Sequence, residues 1–225
     1  SADIACTDGN GTVISTERIA CTDFPLPELK LYVTNNTILL RFRARVTNIL
    51  ANQNGTVISN EATNQVGTNP VTHSNTVDVT VVEPSITFGK TIVSLPTPLD
   101  AGGVVHYRIT YANATGATVS SAMDVHITDA LAAAILLPST GAPHLVITTS
   151  GAVGAITNNS TTSNIDITIA SVAPGASVTI DFYPVIQSSV TPGQLIENVG
   201  NSTWTSLSGV VSGERTGADG PGGGG

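Results

Sequence analysis

The sequence predicts an all-β fold made of tandem β-sandwich domains, and three observations support this. Thr, Ser, Asn, Val and Ile are abundant, alongside 22 glycines and 12 prolines. β-Branched residues favour pleated strands, whereas Gly, Pro and Asn supply the turns between them. Many short segments alternate apolar and polar residues, which is the period of a strand with one buried face. One such pattern also occurs twice along the chain.

The repeated pattern is GTVISNEATNQV at 55–66 and GQLIENVGNSTW at 193–204. Its two equivalent asparagines, Asn60 and Asn198, lie 138 positions apart. A period of this length is typical of tandem sandwich domains and not of a short-period solenoid. We expect the boundary at Glu83–Pro84, where one strand ends and the next begins without a flexible linker. The two domains should therefore lie end to end.

This boundary predicts three regions. Residues 1–83 form the C-terminal part of a first sandwich, 84–210 form a second sandwich, and 211–225 form a Gly-rich tail without a matching strand. The predicted strands of the second sandwich, separated by turn segments such as PTPLDAGG and APGAS, are 85–94, 104–113, 122–131, 144–150, 164–171, 177–186 and 195–204. The segment DALAAAIL predicts one short helical turn, with Asp129 as its N-cap.

Charge and length restrict the function. The 225 residues carry a net charge of −8 with only eight Lys and Arg, which argues against a nucleic-acid partner. No apolar run reaches about 18 residues, so no membrane span is expected. The segment SADIACTDG lacks the features of a signal peptide, so the signal of an exported protein would lie outside this sequence. No catalytic triad, phosphate loop or metal-ligand spacing is found, which predicts no enzyme activity, no cofactor and no metal site.

The two cysteines flank a turn. Cys6 and Cys21 lie on either side of DGNG at 8–11, a strong hairpin signal that would bring the flanking strands together. A disulfide between them is one reading, and two free core thiols are the other. The composition is typical of an extracellular protein, which favours the disulfide.

Lys90 has an unusual position. It lies in phase with Ile86, Phe88 and Ile92 in SITFGKTIV, so its side chain should point to the core, although the chain has only one other lysine, Lys30. Asp129 and Asn198 also lie in the inward phase of their segments. Burying such groups without partners would cost several kcal/mol, so we expect them to meet partners.

The segments FGKTI, DAGGVVHYRITYANATGATVSSAMDVHITDAL, VAPGASVTIDFYPVI and GQLIENVGN follow one another between residues 88 and 201. Together they resemble the repeat of large bacterial and archaeal surface proteins known as domain of unknown function eleven. The resemblance covers 85–220 well, 26–84 as a C-terminal part and 1–25 only loosely. It implies tandem Ig-like surface modules and no enzymatic activity.

Pilin and adhesin modules related to this repeat form an intramolecular isopeptide bond between a Lys and an Asn beside a buried acid. The resemblance therefore implies Lys90 as the nucleophile, Asn198 as the acyl group and Asp129 as the proton relay. A plainer reading is that Lys90 reaches solvent from a strand end, Asp129 caps a turn and Asn198 satisfies a bulge.

These features predict an extracellular structural protein, either a subunit or a repeat segment of a pilus-like filament or surface stalk. The alternative is an adhesin or a cell-surface binding module of the S-layer type. The expected partners are copies of the same chain. In one alternative, separate copies join head to tail by strand complementation through residues 1–25 and 205–220. In the other, the sequence is one segment of a long polypeptide that contains many such repeats.

Overall fold

A computed structural model describes most of the chain, namely residues 6–7, 13–15, 29–34, 37–42, 46–64, 68–139 and 144–219. These residues form 19 strands and no helix, which confirms the all-β prediction. No helix in this part of the chain could cross a membrane. The chain divides into two compact units, Ser1–Thr47 with Ile58–Val79 and Asn48–Val57 with Thr80–Gly225. The second unit thus contains a short segment that precedes the boundary predicted at Glu83–Pro84.

The described strands of the first unit pair two by two: β1 with β2, β3 with β4, β5 with β8, and β6 with β7. Their bounds are β1 Cys6–Thr7, β2 Val13–Ser15, β3 Leu29–Thr34, β4 Thr37–Phe42, β5 Val57–Asn60, β6 Thr63–Asn64, β7 Thr72–His73 and β8 Val77–Thr80. Cys6 begins β1, whereas Cys21 lies outside the described residues, and so does the predicted disulfide.

The second unit is a β-sandwich. A four-stranded sheet has the order β13–β16–β10–β9, a five-stranded sheet has the order β14–β15–β11–β18–β19, and β12 pairs with β17. The strand bounds are β9 Ile86–Ser94, β10 His106–Asn113, β11 Ala122–Ala130, β12 Ile135–Leu136, β13 Leu145–Ser150, β14 Ile156–Asn158, β15 Asn164–Val172, β16 Ser177–Phe182, β17 Val185–Ile186, β18 Gly200–Thr205 and β19 Thr216–Asp219.

The core of this sandwich follows from the alternation in the sequence. Alternate residues of β10 and β16 point inward, and so do those of β11 and β15 apart from one change of phase in each strand. The inward side chains of both sheets form one apolar cluster. Its most buried members include Ile109, Tyr111, Ile127, Ile167 and Phe182, each with no exposed surface. Full burial of a side chain of this size stabilises a fold by about 1.5–3 kcal/mol, so this cluster holds the two sheets together.

The helical turn predicted for DALAAAIL is wrong. Asp129 lies within β11, and the following residues run into the short strand β12. Leu131 and Leu137 are buried, and their backbone N–H groups donate to the carbonyls of Ser163 and Thr162 at 2.9 and 2.8 Å. Burial and these long-range hydrogen bonds therefore outweigh the helix propensity of the alanines.

Two other predicted boundaries are corrected. The hydrogen-bonded strand expected at 195–204 begins only at Gly200, although alternation of exposed and more buried residues continues back to Leu195. The tail after residue 210 was expected to lack a strand, yet β19 pairs with β18. The second unit therefore supplies its own closing strand.

Asn113 at the end of β10 joins three parts of the second unit. Its Oδ1 accepts from the N–H of Ser85 at 3.0 Å, and its Nδ2 donates to the carbonyls of Ser120 and Val172 at 2.8 and 3.0 Å. The residue is 2% exposed. Although Asn113-Ala-Thr is an N-glycosylation sequence, the amide is therefore engaged and inaccessible in the folded unit.

We expect Asn113→Ala to lower the free energy of unfolding by about 2–4 kcal/mol, because buried backbone groups lose their partners. Urea unfolding measures this change. The matched control is Asn201→Ala, since Asn201 also begins an N-glycosylation sequence but is exposed on β18. Equal stability of the two variants would contradict the assigned role of Asn113.

Candidate functional site

The site begins with Lys90 on β9, the edge strand of the four-stranded sheet. The Lys90 side chain points into the sandwich, where Nζ forms an ion pair and hydrogen bond with Oδ2 of Asp129. Asp129 belongs to β11, the central strand of the opposite sheet. The lysine side chain is 11% exposed and the aspartate side chain is fully buried. The contact therefore crosses the core between the two sheets.

Aromatic side chains line the lysine end of this contact. Nζ of Lys90 lies 4.9 Å from the ring centroid of Tyr107 and 5.4 Å from that of Phe182. The two rings are stacked with their centroids 5.4 Å apart. They come from the neighbouring strands β10 and β16, whose residues Tyr107 and Phe182 are register partners. This apolar wall keeps water away from the amine.

Burial sets the ionisation of the pair. Desolvation lowers the pKa of Lys90 and raises the pKa of Asp129. The hydrogen bond and the charge attraction between them oppose both shifts, but burial has the larger effect. It also raises the pKa of Tyr107, with a further contribution from Asp129. Both shifts act against the charged forms of the two groups.

Asn198 is the third predicted member of the site. Asn198 is half-buried, and neither its Oδ1 nor its Nδ2 has a hydrogen-bond partner among the described residues. The same is true of Oδ1 of Asp129. Buried polar atoms almost always have partners, so an unpaired carboxamide in a core calls for an explanation. Leaving such groups unpaired costs about 1–3 kcal/mol each.

The register places Asn198 at the same end of the core as the pair. Asp129 is the register partner of Gly200, which follows Asn198 by two positions. A Cβ atom at Gly200 would lie 3.4 Å from Cζ of Phe88, which precedes Lys90 by two positions on the same face of β9. The structure thus brings Lys90 and Asp129 into contact, with Asn198 on the adjoining segment.

These groups have complementary chemistry. A neutral, desolvated amine is a nucleophile, a carboxamide is an acyl group, and a protonated carboxyl group can polarise a carbonyl and transfer protons. Asp129 lies within β11, so it does not cap a helix. The Nζ of Lys90 is directed at Asp129, although 11% of the lysine side chain remains exposed.

A second polar cluster lies on the outer face of the four-stranded sheet. Asp181 accepts from Nε and Nη2 of Arg108 at 2.9 and 3.0 Å, and its Oδ1 lies 2.6 Å from Nε2 of His106. The His106 ring stacks on Tyr183 with centroids 4.4 Å apart. Arg108 is the main cause of the lowered pKa of Asp181. These contacts tie β10 to β16 on the solvent side.

Alternation along β10 predicts His106 and Arg108 on the outward face, whereas their partner Asp181 was not identified from the sequence. The signal was available, because Asp181 alternates with the inward residues Ile180 and Phe182. The strand pairing that puts Asp181 opposite Arg108 could not be read from the sequence. Among the described residues, no group of three or more His, Cys, Asp or Glu side chains is arranged to hold a metal ion.

One family model matches a short part of the chain. Residues 1–42 match the model of a family of unknown function, DUF6876. This match does not support the resemblance to domain of unknown function eleven. No curated protein matches the chain.

Solved structures with similar folds come from Gram-positive pilins and adhesins. The pilus backbone protein of Streptococcus pneumoniae is 11% identical with a TM-score of 0.38, and the match covers 54% of this chain and 52% of that one. The T6 backbone pilin of Streptococcus pyogenes is 13% identical with a TM-score of 0.38, and the match covers 94% of this chain and 50% of that one. The collagen-binding domain of a Staphylococcus aureus adhesin is 18% identical with a TM-score of 0.35, and the match covers 59% of this chain and 95% of that one. The chain thus spans about half the length of the two pilins it matches.

Proposed function

We propose that this chain is a structural segment of an extracellular filament or surface stalk, and that an isopeptide bond between Lys90 and Asn198 ties its second unit together. The observation that carries the proposal is the buried pair of Lys90 and Asp129, together with the unpaired carboxamide of Asn198 two positions before the register partner of Asp129. The three residue types match the requirements of the reaction. Their positions on separate segments would let one bond join both sides of the sandwich.

The reaction balances without a co-reactant. The neutral amine of Lys90 attacks Cγ of Asn198, so the Nζ–Cγ bond forms and the Cγ–Nδ2 bond breaks. The Asp129 carboxyl group hydrogen-bonds to the carbonyl oxygen and then carries a proton from Nζ to the departing Nδ2. Ammonia leaves, and Asp129 returns to its initial protonated state. The product mass is lower by about 17 Da.

Asn198 is a better acyl group than Asp129 in this arrangement. Condensation of Lys90 with Asp129 would consume the one carboxyl group that contacts the amine among the described residues, and no second acid from this part of the chain would remain to transfer protons. Reaction at Asn198 keeps that acid available and removes the unpaired amide. The two products differ in mass, since loss of water lowers the mass by about 18 Da and loss of ammonia by about 17 Da.

The bond would make the second unit resistant to stretching. Lys90 lies on the first strand of the sandwich, and Asn198 directly precedes β18, its penultimate strand. A force applied through the chain on either side of this pair would pass through the covalent bond and bypass the residues between them. This property suits a segment of a filament or stalk.

Single-molecule stretching tests this role. With the pulling points outside 90–198, we expect the wild-type unit to show no extension from the residues between Lys90 and Asn198. The variant Asn198→Ala should release this segment and lengthen the chain by roughly 35–40 nm, at about 3.5 Å per residue. The same release from the wild-type unit would show that the Lys90–Asn198 bond does not carry the applied force.

A further inference from the structure

The closing strand β19 is attached to the sheet by a segment of irregular backbone. It pairs antiparallel with β18, with Trp204 opposite Gly217 and Thr205 opposite Thr216. Residues 206–215 connect the two strands. At the start of this connection, Oδ2 of Asp124 accepts from the N–H of Gly209 at 2.7 Å. The strand and the sheet edge it covers are therefore separable pieces of the chain.

Gly217 matches the shape of Trp204. The Trp204 indole fills the space that a side chain at position 217 would need, and a Cβ atom there would overlap the ring. Trp204 is only 7% exposed. A strand that pairs at this edge must therefore carry glycine opposite the tryptophan, which fixes both its identity and its register.

Arg215 provides a second point of recognition. Its guanidinium forms an ion pair with Glu83 and donates to Oδ1 of Asn48 at 3.2 Å, to the carbonyl of Asn52 at 3.1 Å and to Oε1 of Gln53 at 3.4 Å. The side chains of Arg215 and Glu83 are 17% and 16% exposed. All of these partners lie outside the 206–219 segment, so an arginine from another chain could meet the same groups.

We propose that the β18 edge, with Trp204 and Glu83, is an acceptor site for the 215–219 segment of a second copy of this chain. This inference rests on the proposed function, in which copies are neighbours in a filament. The occupant follows from the structure, since every copy carries the segment RTGAD that fits both Trp204 and Glu83. An edge left open by its own strand would be a template for this addition.

The tether decides which copy fills the site. A segment attached through residues 206–215 has an effective concentration on the order of millimolar, so an isolated chain closes its own edge. Exchange between copies needs a defect in the attached strand or a comparably high local concentration of neighbours. A single chain therefore covers its own β18 edge with β19, although copies can still exchange this strand when they are concentrated.

The test uses full-length chains and a peptide of residues 210–219. Gly217→Val disables the strand of one chain but leaves its acceptor site intact. We expect the wild-type peptide to bind this chain. Peptides that carry Gly217→Val or Arg215→Glu should bind it at least tenfold more weakly. The wild-type peptide should also bind at least tenfold more weakly to the wild-type chain, whose site is filled by its own strand. The Arg215→Glu peptide should regain binding to the Gly217→Val chain that also carries Glu83→Lys, because this restores the charge pair. Calorimetry measures each affinity.

Two full-length variants test exchange between copies. Gly217→Val has an intact acceptor site, and Glu83→Lys has an intact strand but a defective site. Light scattering should show monomers of each alone and a 1:1 complex in their mixture. Circular dichroism checks folding, and Arg215→Glu replaces Gly217→Val as the acceptor chain if the latter does not fold.

Three outcomes would overturn the inference: no peptide binding to a folded acceptor, equal binding of the Gly217→Val peptide, or peptide binding without a complex between the two chains. None of them bears on the Lys90–Asn198 bond. The bond is assessed separately by mass and by stretching, so failure of strand exchange and failure of the proposed function can be told apart.

Discussion

Replacing Asn198 with Ala is expected to lower the free energy of unfolding of the second unit by about 4–5 kcal/mol. The bond from Lys90 to Asn198 closes a loop of roughly 100 residues, and a covalent link of that span restricts the unfolded chain by about this amount. For a unit of this size the melting temperature should fall by roughly 10–20 °C. Differential scanning calorimetry measures both quantities.

The sign of this change is diagnostic. Without the bond, Asn198→Ala would remove only a buried amide that has no hydrogen-bond partner, and the unit would be equally stable or more stable. Asn198→Asp is a matched variant, because it keeps the size of the side chain and can still react with Lys90, now by losing water. It should retain most of the wild-type stability. A stable Asn198→Ala variant would contradict the bond.

Removing either partner of the buried pair should make stability depend on pH, with opposite signs for the two variants. In Asp129→Ala the amine remains buried with its pKa lowered, and in Lys90→Met the carboxyl group remains buried with its pKa raised. Neither variant can form the bond. We expect stability to rise with pH in Asp129→Ala and to fall with pH in Lys90→Met.

The signs follow from proton uptake on unfolding. In Asp129→Ala the unfolded state binds more protons than the folded state between the lowered pKa of the buried amine and the ordinary lysine value of 10.5, so stability increases with pH across that range. The carboxyl group in Lys90→Met keeps its proton when folded and loses it when unfolded above 3.8. Its contribution is complete below that value and is lost as pH rises through the raised pKa. Each slope has a limit of about 1.4 kcal/mol per pH unit.

Urea unfolding at several pH values measures these slopes. The double variant Lys90→Met with Asp129→Ala is the control, since it lacks both groups and should lose both dependences. Slopes of the same sign in the two single variants would show that the pair is not desolvated as described.

Much of the second unit could be predicted because burial follows the alternation of its strands. Phase predicts that Lys90, Asp129 and Asn198 point inward, and their exposures agree with it, including Asn198 in a segment without strand hydrogen bonds. Their chemical roles came from the resemblance and not from phase. Phase gives the face on which a side chain lies. It does not give the strand order that brings β9 and β11 together across the core, and that information lies in long-range packing.

The features that sequence reasoning missed depend on distant contacts. Thr216–Asp219 has no apolar alternation and lies in a Gly-rich tail, yet it forms β19 because Gly217 fits Trp204 and Arg215 binds Glu83. The alanines after Asp129 favour a helix locally, but they form only a turn between β11 and β12, whose flanking leucines are buried. In both cases residues far away in the sequence determine the local structure.

The intact mass of the purified chain tests the claim that Lys90 and Asn198 are covalently joined. We expect a mass about 17 Da below that of the sequence, with a cross-linked peptide containing Lys90 and Asn198 after digestion. Lys90→Met, Asp129→Ala and Asn198→Ala should each show their full unreacted mass. A wild-type chain with the full mass of its sequence would contradict the claim, and a loss of about 18 Da would assign the bond to Asp129.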